Sequence, residues 1–151
     1  MRNVKSKDPF MLQRQALSLF VREAGDVGGG RFALHALHDQ CDPAFAAFLI
    51  HQGLASHWLH MIEAHGAQQA VSPGVLVQLK QARFSEAASY LAQRAAMEEI
   101  DATFNAHGIA YAVLKGAWVR ELVYADPALR PSADVDLLVA PNQRDAASQL
   151  L

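Results

Sequence analysis

From Val75 to His107 the chain contains neither glycine nor proline, with Ser72-Pro73 just ahead of that stretch and Gly108 closing it. Proline suits the first helical position because the N–H it lacks would have no intrahelical partner there. Glycine just past the last turn takes the left-handed backbone that ends a helix. The spacing therefore predicts one helix over about 73–107. Leu76, Leu79, Phe84, Ala88, Leu91 and Ala95 fall on one apolar stripe, and Met97, Ile100 and Phe104 continue it with a shift. At 1.5 Å per residue such a helix is about 50 Å long. The shorter elements of a 151-residue chain must be arranged around it.

The two sides of this helix read differently. Before it, further helices are expected. Asp8-Pro9 opens one with Phe10, Leu17, Phe20 and Val21 as its stripe, and Gly25 to Gly30 form a loop after it. Phe32 to His38 read as a helix. Asp42-Pro43 opens another, carrying Phe45, Phe48 and Leu49, and Gly53 stops it. Leu54 to His65 follow, stopped by Gly66. After Gly108, short apolar runs alternate with helical ones. Ile109 to Leu114 read as a buried strand, Lys115-Gly116 as a sharp turn, and Ala117 to Tyr124 as a helix. Ala125 to Ala133 read as a loop, Asp134 to Val139 as a second strand, and Pro141 opens a last helix. The expected class is α+β: a helical region over residues 1–107, then two strands and two helices over 108–151. The 28 alanines favour the helices, and 52% hydrophobic against 19% charged residues places the chain among folding sequences.

Charge excludes one class of function. With 13 basic and 15 acidic side chains the net charge is -2, so binding nucleic acid through bulk positive charge is not expected. Arg2, Lys5 and Lys7 are too few for a nucleic-acid arm. Contact with a nucleotide needs only a few placed cations and stays open. No run approaches the ~18 apolar residues of a membrane span, and the segment after MRNVKSKD lacks the apolar core of a signal peptide. Cys41 is the sole cysteine, which fits a reducing compartment; a cytoplasmic protein is expected.

The chemistry-bearing residues lie after the long helix. In a strand, residues i and i+2 point to one face, so Asp134 and Asp136 would project together, roughly 6–7 Å apart, while Val135, Leu137 and Val139 face a core. Two like charges at that spacing repel unless a cation sits between them. Mg²⁺ takes oxygen ligands, typically one or two carboxylates plus substrate phosphates. Two solvated acids at a strand edge are the plain alternative, although aspartate is poorly suited to strands. Upstream, the Ile109–Leu114 strand runs through Lys115-Gly116 into a helix. Backbone N–H groups at such a helix start form an anion site, and glycine lets a phosphate approach the backbone closely. An ordinary tight turn is the alternative for Gly116, and a surface role for Lys115.

The segment LKGAWVRELVYADPALRPSADVDLLV, Leu114 to Val139, resembles the signature of the uncharacterised nucleotidyltransferase family of the polymerase-beta-like superfamily. The superfamily pattern is an apolar residue, Gly, then Gly or Ser, a loop, and Asp-x-Asp or Asp-x-Glu between apolar residues. Gly116, Asp134 and Asp136 match it, and Ala117 stands where the wider superfamily has Gly or Ser, without a hydroxyl for phosphate. The long helix, the strand into Leu-Lys-Gly and the short helices before them are also similar to this family, over most of residues 40–151.

The resemblance implies a mechanism. Two Mg²⁺ ions held by Asp134 and Asp136 bind the triphosphate of an NTP and activate an acceptor hydroxyl of unknown identity, and in-line attack at the α-phosphate releases pyrophosphate. Gly116 and the N–H groups after it, including that of Ala117, would cradle phosphate. Lys115 and Arg130 would add positive charge, a solvated loop arginine being the alternative for Arg130. A catalytically silent member that binds a nucleotide or partner through the same fold is the second reading. A helical interaction module carrying a fragment of the enzyme fold is a third. The resemblance also implies a third carboxylate on a later strand. Asp145 is the sole acid after Asp136, and its place in the first turn after Pro141 suits the helix dipole. The 108–151 segment is therefore expected to be the first part of a longer domain, inactive alone.

A nucleotide-sugar glycosyltransferase is the rival for Asp-x-Asp. There the apolar strand typically precedes the acids. Here Arg130 to Ala133 precede them and Leu137-Leu138-Val139 follow, which favours the nucleotidyltransferase order. His35 with His38, and His57 with His60, share helix faces but lack the third or fourth ligand zinc needs. Trp58 and Trp118 are expected in the core, and Glu98, Glu99 and Asp101 on a solvated face.

Overall fold

The structure, a computed structural model, describes residues 42–151. The helices expected after Asp8-Pro9 and over Phe32 to His38, the Gly25–Gly30 loop, the His35–His38 pair and Cys41 lie outside those residues. The described chain is α+β. Its elements are α1 (Pro43–His51), α2 (Ala55–Ala64), α3 (Pro73–Ala106), β1 (Tyr111–Leu114), α4 (Lys115–Val123), β2 (Asp136–Val139) and α5 (Arg144–Leu150). Single 3-10 turns over Gln68–Ala70, Pro127–Leu129 and Pro141–Gln143 join them. Among the described residues no helix is long and apolar enough to cross a membrane.

The described chain divides into two compact units on either side of the Ala82–Arg83 boundary. In the first, the sequence signals for helix ends act as expected. The Asp42 carboxylate accepts the Phe45 N–H at 2.9 Å with Pro43 behind it, and the Ser72 hydroxyl oxygen accepts the Val75 N–H at 3.4 Å. Gly53 and Gly66 take φ of +67° and +62°, ending α1 and following α2. Phe45, Leu49, Trp58, Leu59, Ile62, Val75 and Leu79 form the core, with the Phe45 and Trp58 rings edge to face at 5.1 Å.

In the second unit, β1 and β2 pair antiparallel with Leu114 opposite Asp136 and Tyr111 opposite Val139. This register puts Tyr111, Val113, Leu137 and Val139 on one face and Ala112, Leu114, Asp136 and Leu138 on the other. Of the first face, Tyr111, Leu137 and Val139 pack, together with Ile100 and Leu150, around buried Phe104, Ile109 and Ala147. The Phe104 and Tyr111 rings meet edge to face at 5.4 Å. The second face is open, with Leu138 57% exposed.

Four sequence expectations are corrected here. The first strand begins at Tyr111, because Ile109 instead closes α3, its N–H donating to the Phe104 carbonyl at 2.9 Å. The second strand begins at Asp136, so Asp134 lies outside the ladder. On α3 the stripe holds at its start and in its shifted continuation, where Met97 and Ile100 are half-buried and Phe104 is fully buried, and fails between them. Phe84 and Leu91 are 79% and 64% exposed, and Ala88 and Ala95 are exposed with them. Along the failing stretch the half-buried positions include Tyr90 and Gln93. Tyr90 and Gln93 meet their neighbours through hydrogen bonds, which apolar periodicity does not register. Trp118, expected in the core, is 51% exposed, because α4 turns Ala117 and Arg120 inward instead.

Candidate functional site

The site is built where β1 gives way to α4. Leu114 is the last strand residue and flanks the helix in extended conformation, with no side chain capping the helix start. Lys115 makes the turn with φ of +52°, a left-handed backbone that costs a residue with a Cβ roughly 1–2 kcal/mol. The first N–H groups of α4 are therefore left without intrahelical partners beside a cationic side chain, the elements of an anion site.

The acids reach this turn by different routes. Asp136 is fixed by the ladder opposite Leu114, and its Oδ2 lies 3.1 Å from Lys115 Nζ. The pair is partly exposed, so it contributes at most about 1 kcal/mol. Asp134 precedes the strand, is exposed, and accepts the Ser132 hydroxyl on its backbone carbonyl at 2.9 Å. Ser132 is anchored a second time, its own carbonyl accepting Gln93 Nε2 of α3 at 2.7 Å.

Gly116 has its reason in the same loop. A Cβ at this position would lie 2.9 Å from Ser132 Oγ. The space expected for an approaching phosphate is thus entered by the Ser132 hydroxyl, and the glycine is what lets the Arg130–Asp134 loop close onto the start of α4. Ala117 is buried at 6% exposure and presents nothing polar. Arg130 is half-buried, and its Nε is buried without a hydrogen-bond partner. On the inner side of α4, Arg120 is 3% exposed and stacks over the Tyr90 ring at 4.8 Å, a structural place for a cation.

The structure thus brings together Lys115, Gly116, Asp136 and the Asp134 segment. Asp145 sits exposed in the first turn of α5. The donor set suits a hard divalent cation, since both acids offer only oxygen and one of them already holds a cation, the Lys115 ammonium. Among the described residues no group of three or more His, Cys, Asp or Glu stands together as a metal site. Ser132 and Gln93 were not foreseen. A hydroxyl two residues before Asp134 was a local signal for the first. Nothing local pointed to Gln93, which lies 39 residues from its partner.

A family model described as an uncharacterised nucleotidyltransferase matches residues 39–151. No curated protein matches the chain, and no solved structure does.

Proposed function

Because the chain belongs to the uncharacterised nucleotidyltransferase family, we propose that it takes part in metal-dependent transfer of a nucleoside monophosphate from an NTP to an acceptor hydroxyl, with Asp134 and Asp136 as metal ligands. The observation that carries the reading is the junction of β1 and α4, where Lys115 and Gly116 meet the acid-bearing strand through the 3.1 Å ion pair with Asp136. Lys115, now on Asp136, is within side-chain reach of phosphate at the same turn. The free N–H groups of α4 hold phosphate oxygens, and the Arg130 guanidinium adds charge to them. Divalent ions on the acids would supply charge neutralisation for the attacking and leaving oxygens. The protein's own part is to hold donor and acceptor in line.

A catalytically silent nucleotide-binding member is the second reading, favoured by the way Lys115 already neutralises Asp136. Incubation with α-labelled NTPs, Mg²⁺ and a panel of hydroxyl acceptors separates the two. Label transfer that Asp134→Asn and Asp136→Asn abolish supports the enzyme. Nucleotide binding that neither these variants nor removal of Mg²⁺ alters supports the silent member.

A further inference from the structure

We infer that Ser132 is a positioning residue for the acidic pair, doing for Asp134 what the β-ladder does for Asp136. The inference rests on the functional reading above. Had the second strand begun at Asp134, pairing with β1 would have fixed both carboxylates. It begins at Asp136 instead, opposite Leu114, the last residue of β1.

Ser132 supplies the missing constraint through three contacts. Its hydroxyl donates to the Asp134 carbonyl at 2.9 Å, which fixes the peptide on the C-terminal side of Asp134. Its carbonyl accepts Gln93 Nε2 at 2.7 Å, which fastens the loop to α3. Its Oγ fills the space that a Cβ on residue 116 would need, which seats the loop against the start of α4. Ser132 thereby ties the Asp134 backbone to the Lys115–Gly116 start of α4. Alanine keeps the loop's bulk and loses the hydrogen bond, whereas threonine keeps the hydroxyl.

The test is Mn²⁺ binding to the 151-residue chain, read by electron paramagnetic resonance, alongside thermal unfolding. Ser132→Ala is expected to weaken Mn²⁺ binding about fivefold, the effect of one net hydrogen bond, while the unfolding midpoint moves by less than about 4 °C. Ser132→Thr restores the affinity. Gln93→Leu, which loosens the same loop without altering it, weakens binding in the same direction and covers the case in which Ser132→Ala folds poorly. If Asp134→Asn and Asp136→Asn lose Mn²⁺ while Ser132→Ala and Gln93→Leu bind it like the parent, the positioning role is overturned and the metal site stands. If the Asp→Asn variants keep their Mn²⁺, the metal reading itself fails and the role of Ser132 falls with it.

Discussion

Lys115 places its ammonium 3.1 Å from Oδ2 of Asp136 while its own backbone is held at φ +52°. Strained conformations cluster at functional sites because surrounding structure pays for them. Here the strain delivers a cation to the carboxylate that the β-ladder presents. Two substitutions separate strain from charge. Lys115→Ala and Lys115→Gly both remove the ammonium and should weaken NTP binding equally. Only glycine relieves the left-handed backbone, so Lys115→Gly should be the more stable of the two by about 1 kcal/mol in urea unfolding. Equal stabilities would show that the turn carries no strain.

The Ser132–Gly116 approach makes a prediction about size alone. Gly116→Ala puts a methyl 2.9 Å from Ser132 Oγ, so the loop must shift and stability should drop by about 1–3 kcal/mol. In the Ser132→Ala background the nearest neighbour is Cβ, at 3.7 Å, an ordinary contact. The double variant should therefore recover most of the loss caused by Gly116→Ala. A double-mutant cycle on chemical denaturation reads this directly, and additivity would mean that the two residues do not touch.

Much of this region was legible in the sequence. Asp42, Ser72, Gly53, Gly66 and Gly108 are local signals, and each acts within one turn of its own position. Asp136 was legible as a strand residue, whereas Asp134, read into the same strand, precedes it, and Lys115-Gly116, read as a turn ahead of the helix, are the first two residues of α4. The device joining them was not legible, because the Gln93–Ser132 and Gly116–Ser132 contacts cross from one element to another. The middle of the α3 stripe misled for a related reason. Periodicity counts apolar residues, and the inward positions Tyr90 and Gln93 work by hydrogen bonding.

That correction can be checked at the bench. Phe84→Gln and Leu91→Lys alter large apolar side chains that are 79% and 64% exposed, so each should change stability by no more than about 0.5 kcal/mol. Phe104 is fully buried in a small cluster, so Phe104→Ala should cost about 3–5 kcal/mol. Differential scanning calorimetry compares the three. A large loss for Leu91→Lys would restore the original stripe.

Tyr111 gives a pH signature. Burial first, and then the hydrogen bond to Asp101 at 2.8 Å, raise its phenol above the usual tyrosine value. A raised value in the folded state means that the neutral phenol favours folding. That stability is fully present below the unfolded tyrosine value near pH ~10 and is lost as pH rises through the folded one. Parent protein and Tyr111→Phe, unfolded in urea from about pH 9 to pH 11, should differ most at the lower end and converge at the upper. A constant difference would mean that Tyr111 titrates alike in both states.

The pairing of Leu114 with Asp136 closes the chain from Lys115 to Val135 into a ring that contains Gly116, Arg130, Ser132 and Asp134. Opening the short ladder therefore releases the loop ends and the candidate ligands together. Ladder and site should exchange their amide hydrogens as one cooperative unit. A ligand that bridges Asp136 to the start of α4 would then slow exchange at Tyr111–Leu114, residues it never touches.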